Sequence, residues 1–190
     1  NNDFLSPLAK DFFTLPYPSS LAGSPFAFIA QILIALAIAS VFILIFITDA
    51  KYMVIPDIYL YLLVALYPLY LTFFKLQITQ NQNIALIKDN LIAAVILAIF
   101  FAALHYGSRK KAMGEGDIYL AAIIGFYLGT NLSVVMRFMA FLTGAIAGVI
   151  LLISGKKKMK SALSFGPFLI LGFCFALIWG TELLNWYLSI

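Results

Sequence analysis

Only eight acidic residues occur in this chain of 190, and four of them crowd into two short stretches. Asp49 and Asp57 bracket "DAKYMVIPD", and Glu115 and Asp117 belong to "MGEGD" at 113–117. Asp49 closes an apolar run of more than twenty residues, at a predicted helix C-terminus where the macrodipole disfavours an anion. Asp117 opens another apolar run. An ionisable group at membrane depth is costly, and two of them on different helices at one membrane face point to chemistry rather than to solvation. Two carboxylates held close in a low dielectric cannot both ionise, so one keeps a proton while the other is charged. Such a pair can activate a water and protonate a leaving amine, the chemistry of an aspartic protease.

The neighbouring residues have plainer readings beside functional ones. Gly114 and Gly116 allow close backbone approach and relax the helix start, which suits an extended peptide lying beside Asp117. Asp117 also fits an N-cap with Glu115 as a solvated flanking charge. Asp57 follows Pro56 and fits a first-turn acid at a favourable dipole position, with substrate positioning as its other reading. His105 and Cys174 are single residues in apolar surroundings and read as structural. Asp3, Asp11 and Asp89 fall in outer segments, and Glu182 sits near the outer end of the last apolar run.

The elements that must position these acids follow from composition. The chain is 64% hydrophobic and 11% charged, with a mean hydropathy of +1.04, whereas soluble domains are about half apolar and a quarter charged. This excludes disorder and indicates an all-α polytopic integral membrane protein. A helix needs about 20 apolar residues to cross the hydrocarbon core. Six segments qualify or nearly do: roughly 26–48, 57–74, 86–105, 117–132, 134–154 and 166–188, the fourth being short. Residues 26–190 thus form one six-span membrane domain. Residues 1–25, with four of the seven prolines, read as an irregular N-terminal segment with room for a short interfacial helix at 8–13. One cysteine supports neither a disulfide framework nor a Cys-rich zinc site, and neither a metal nor a cofactor is expected.

Orientation comes from the cations. If the spans alternate, Lys51, Arg109, Lys110, Lys111, Lys156, Lys157, Lys158 and Lys160 share one side, against Lys10, Lys75, Lys88 and Arg137 on the other. The positive-inside rule makes the first side cytoplasmic and places residues 1–25 outside. Trp179, Trp186 and Tyr187 then fit an outer aromatic belt. The net charge of +4 is a topology signal, with anionic lipid as a secondary partner and no indication of nucleic acid.

Three stretches together carry a family resemblance. "TDAKYMVIPD" resembles the D-x-x-x-x-x-I-P-D stretch of type IV prepilin peptidases. "AMGEGDIYLAAIIGFYLG" resembles their G-x-G-D segment and the small-residue span after it, and "SFGPFLILG" at 164–172 their F-G-P-F stretch. The resemblance implies a membrane aspartic endopeptidase of the cytoplasmic (inner) membrane, with Asp49 and Asp117 as the catalytic pair. It also implies cleavage of the leader of prepilin-like or preflagellin-like precursors at the cytoplasmic face. Bacterial members commonly add a cytoplasmic domain with paired C-x-x-C motifs and N-methyltransferase activity. No such motif occurs in these residues, so methyl transfer is not implied; the chain fits either a member cut after that region or a compact six-span member like the archaeal preflagellin peptidases. Many members carry lysine two residues after the motif aspartate, where this chain has Tyr119. Presenilin-like and signal-peptide-peptidase-like enzymes also use G-x-G-D, but typically with Y-D and P-A-L, where this chain has "TD" and "GPFL". A small proton or ion transporter is the reading from a different class. It would favour acids near the midplane and duplicated halves, and the sequence has neither.

Overall fold

The computed structural model describes residues 25–75, 80–108, 113–154 and 164–189. The irregular segment and interfacial helix expected before residue 25 lie almost wholly outside them. Among the described residues the chain is helices joined by short turns, with no strand: α1 Pro25–Tyr52, α2 Asp57–Tyr70, α3 Gln80–Gly107, α4 Glu115–Leu128, α5 Thr130–Ile153 and α6 Gly166–Leu188. Pro68 removes a backbone donor within α2, and the helix runs on into a π-helical stretch, Leu71–Lys75. Five helices are long and apolar enough to cross a membrane. The expected all-α polytopic membrane architecture is therefore present.

The fourth helix is the exception in length. Its 14 residues reach about 21 Å, short of the roughly 30 Å hydrocarbon core. It stops at Leu128, not at 132, because Gly129 turns the backbone to φ +82. A side chain there would collide with Asp89 and Asn90 on α3. Asp89 meanwhile receives the Thr130 N–H at 3.0 Å and its hydroxyl at 2.5 Å, which caps the start of α5. What α4 lacks in length it recovers in burial. Leu120, Ala121 and Ile124 are fully enclosed, and Gly125 lets α4 touch the backbone of α3 at Ala93.

Contacts between helices show that they alternate in direction. Helices α3 and α4 are antiparallel, joined near one end by His105 with Met113 and at the other by Asp89 with Thr130. Helices α5 and α6 run antiparallel along three glycine contacts: Gly144 with Phe165, Gly172 with Met136 and Ala140, and Gly180 with Leu132. Helices α2 and α4 are parallel, with Ile55 on Gly116 and the Tyr127 hydroxyl on the Leu63 carbonyl at 2.7 Å. One end of the bundle thus gathers the last turns of α1 and α3 and the first turns of α2, α4 and α6. At the other, Asn90 donates to the Tyr67 hydroxyl at 2.8 Å within a cluster that includes Tyr70, Phe126 and Tyr127. Buried hydrogen bonds of this kind fix helix register where apolar packing alone slides. Arg137, counted with the outer cations, lies about two turns into α5 with its guanidinium 5.0 Å from the Phe100 ring centre.

The close contact of α6 with the backbone of α5 makes a prediction. A Cβ on Gly172 would come within 2.5 Å of the Met136 carbonyl and 3.0 Å of the Ala140 nitrogen, whereas one on Gly148 meets nothing within 4 Å. Gly172→Val should cost about 1–3 kcal/mol, read as a lowered thermal midpoint in detergent. Gly148→Ala should leave that midpoint unchanged.

Candidate active site

The two central aspartates arrive from different helices. Asp49 lies one turn from the end of α1, and Asp117 is the third residue of α4; both are buried. Met53 ends α1 in the left-handed conformation, φ 55, with its N–H on the Asp49 carbonyl at 2.9 Å. This is the helix-ending geometry that glycine usually supplies, adopted here by a residue with a side chain at a cost of order 1–3 kcal/mol. The turn swings the chain back so that Ile55 is buried against α4.

There Ile55 meets Gly116. A Cβ on that glycine would lie 3.0 Å from the Ile55 Cβ, so the absent side chain is what lets the two motif stretches dock. Gly114 differs: it is exposed, and the nearest atom to an added Cβ is Asp117 Oδ2 at 3.7 Å. Its extended backbone caps α4 while its N–H donates to Asp117 Oδ2 at 3.2 Å. Asp117 is therefore held by the very loop that precedes it, in the reciprocal half of a capping box.

A third segment completes the site. Phe165 packs on Phe141 and Phe101, with ring centres at 5.1 and 5.9 Å, and anchors the start of α6. Of the first-turn amides of α6, Phe168 and Leu169 both bond to the Phe165 carbonyl, and Pro167 has no N–H. The Gly166 N–H is left, and it lies within reach of both carboxyl groups. The Ser164 hydroxyl donates to Asp49 Oδ2. A Cβ on Gly166 would stand 3.1 Å from Asp49 Cγ and 3.3 Å from Asp117 Oδ1, so both carboxyls border the same small space. Asp117 Oδ1 is buried and makes no well-aligned hydrogen bond of its own, a costly state for an ionised oxygen and a natural one for an oxygen that exchanges a proton.

The other sequence candidates fall around this centre. Asp57 is an exposed first-turn acid of α2, and no described contact joins it to either carboxyl. Glu115 is exposed and 3.7 Å from His105 Nε2. His105 itself is buried, with Nδ1 2.7 Å from the Met113 carbonyl, so it ties the end of α3 to the loop before Asp117. Cys174 is exposed on α6. An apolar groove of about 410 Å³, bordered by Leu104, Met113, Phe141 and Phe165, opens next to the loop. Ser164 and Gly166 were not singled out from sequence. A Gly-Pro pair opening an apolar run was the available signal, because it marks a helix N-terminus on the face that carries both aspartates.

The arrangement has relatives. The sequence profile of the type IV leader peptidase family matches residues 36–149. A prepilin leader peptidase/N-methyltransferase of Legionella pneumophila is 32% identical over 117 residues, 59% of this chain and 41% of the relative. One from Bacillus subtilis (strain 168) is 27% identical over 168 residues, 88% of this chain and 64% of the relative. The leader peptidase HopD of Escherichia coli is 33% identical over 133 residues, 67% of this chain and 80% of the relative. The chain therefore spans about two fifths of the Legionella relative and most of HopD. No solved structure matches.

Gly166→Ala tests the shared space directly. The added methyl must displace at least one carboxyl, and a misplacement near 1 Å costs about a hundredfold in rate. Any reaction that uses both carboxyls should slow by about that factor, with an unchanged thermal midpoint as the control for folding.

Proposed function

Because the chain belongs to the type IV leader peptidase family, we propose that it is a membrane aspartic endopeptidase whose Asp49 and Asp117 jointly hydrolyse the leader peptide bond of prepilin-like or preflagellin-like precursors. The observation that carries this reading is the placement of both carboxyl groups around one space beside Gly166. One carboxylate takes a proton from water as the water oxygen attacks the scissile carbonyl carbon. The protonated partner donates to the carbonyl oxygen, giving a tetrahedral diol. Collapse of the diol breaks the C–N bond, the leaving nitrogen takes a proton from the pair, and the carboxyls return to a single shared proton. The step consumes one water and needs no other reactant.

Residues 26–190 are the protease domain in this reading, and residues 1–25 lie on the extracytoplasmic side. The protein sits in the cytoplasmic membrane with the dyad at the cytoplasmic face. The inside count of lysine and arginine supports that orientation. A substrate with a basic leader and an apolar helix fits it: the leader stays in the cytoplasm while the helix lies among the spans. The groove at Leu104, Met113, Phe141 and Phe165 gives the apolar side chains beyond the cut a seat next to the dyad. Gly114, open on its outer side, leaves room for the extended scissile segment, and a glycine before the cut keeps the substrate backbone equally unobstructed. Gly116 contributes by admitting Ile55, and Asp57 contributes at most a long-range field at the leader.

Asp49→Asn and Asp117→Asn should each abolish cleavage of a co-expressed prepilin-like precursor, with normal membrane insertion, and the double variant should be no worse than either. Asp57→Asn and Glu115→Gln should stay within about tenfold of the parent, since about 1.4 kcal/mol bounds their electrostatic share. A gel shift with N-terminal sequencing of the product reads all four. Appreciable cleavage by either dyad variant refutes the assignment.

Orientation has its own check. Gly107, at the last residue of α3, has open space where a side chain would go. Gly107→Cys in a Cys174→Ala background should react with an impermeant thiol reagent only from the cytoplasmic side. Labelling from outside alone overturns the topology and the substrate class with it.

A further inference from the structure

The dyad is not held symmetrically, and the asymmetry singles out a residue beyond the two aspartates. Asp117 is fixed from its own helix start, through the Gly114 N–H on Oδ2. Asp49 has no such local support: it lies near the end of α1, where the outgoing carbonyls repel an anion. Its side-chain donor comes from 115 residues further on, where the Ser164 hydroxyl donates to Oδ2. That oxygen is the one that faces the space shared with Asp117 Oδ1, as the position of Gly166 shows. Ser164 therefore touches the working side of the pair rather than its back.

Among the described residues, the charged and titratable groups near Asp49 leave the hydroxyl few competitors. Asp117 faces it from α4. Lys51 on its own helix is exposed and directed over the Tyr52 ring, at 5.1 Å. Asp57 on α2 is exposed, and His105 of α3 turns to Met113 and Glu115 instead. Among the described residues no cation pairs with Asp49, so its buried carboxyl draws on neutral donors, and a hydrogen bond to a charged group is about twice as strong as one between neutral partners.

We propose that Ser164 is a positioning residue of the dyad: by donating to Asp49 Oδ2 it fixes the orientation of that carboxyl toward Asp117 and supplies the donor that the Asp49 side chain lacks on α1. This inference rests on the dyad reading given above. It assigns Ser164 no contact with substrate, so its loss acts on turnover and not on binding.

The test uses the full chain in detergent, a prepilin-like peptide with a basic leader, a glycine before the cut and an apolar stretch after it, and three variants measured together. Ser164→Ala should lower kcat about tenfold or more while KM stays within about twofold, because a donor to a charged group is lost and the peptide site is intact. Ser164→Thr, which keeps the hydroxyl, should recover most of the parent kcat. A methyl-for-hydroxyl effect on folding alone would leave Thr no better than Ala. Asp49→Asn, run in parallel, separates the two ideas. If it is inactive while Ser164→Ala turns over like the parent, the Ser164 inference falls and the dyad stands. If Asp49→Asn itself is active, the dyad reading falls. A KM change that accounts for the whole loss in Ser164→Ala, or a Thr variant as slow as Ala, also overturns the positioning role.

Discussion

Holding two buried carboxyl groups against the same small space is the constraint around which the bundle is organised. Left to itself an apolar interior drives such groups apart or into water, since bringing each one in costs solvation and bringing both adds repulsion. Three separate stretches of chain meet that cost. The loop before α4 offers a backbone N–H to Asp117, the start of α6 brings Gly166 up against both carboxyls, and Ser164 offers its hydroxyl to Asp49. Among the described residues neither carboxyl pairs with a lysine or an arginine. Cationic partners would favour ionisation of both groups and end the sharing of one proton. Neutral donors support a single negative charge and leave the one proton on the pair, the state the proposed mechanism uses.

Convergence at that end depends on anchoring at the other. The site gathers the termini of five helices, and termini fray unless the helix bodies are fixed in register. Asp89 with Thr130, Asn90 with Tyr67, and Tyr127 with Leu63 supply the register by hydrogen bonds that tie α2, α3, α4 and α5. Glycines then set how near the bodies stand: Gly125 brings α4 onto α3, and Gly172 brings α6 onto α5. In a bilayer no hydrophobic force separates a helix from lipid tails, so close packing and buried hydrogen bonds are the forces left to do this.

Much of this was legible in the sequence, for identifiable reasons. Span length and apolarity are local properties, so five of the six expected spans and the all-α membrane fold follow from composition and run length alone. That Asp49 and Asp117 face the same side follows from alternation of spans and the lysine and arginine count. The length of α4 was not legible, because its end at Gly129 is set by Asp89 and Asn90 on another helix. The role of Gly116 was equally hidden: reading it as space for substrate is natural for a glycine beside an acid, yet Ile55 of the preceding motif fills that space. Ser164 lay inside a stretch noticed only for its pattern, and its hydroxyl gains meaning once α6 is placed against α1.

The two glycines of "MGEGD" and the one of "SFGPF" thus do different work for a single reason. A side chain at Gly116 would push the turn after α1 away from α4, and a side chain at Gly166 would enter the space between the carboxyls. In each case the missing atoms let backbone or a neighbouring motif reach the dyad directly. Gly114 has a backbone that other residues adopt, φ −72 and ψ 157, and open surroundings, so its small size matters outward, toward whatever approaches the loop. The inner pair of glycines builds the site and the outer one leaves it accessible. A carboxyl pair enclosed on all sides could never meet a peptide bond, so in the proposed reading the exposure of Gly114 beside a buried Asp117 is the feature that leaves the pair within a substrate's reach.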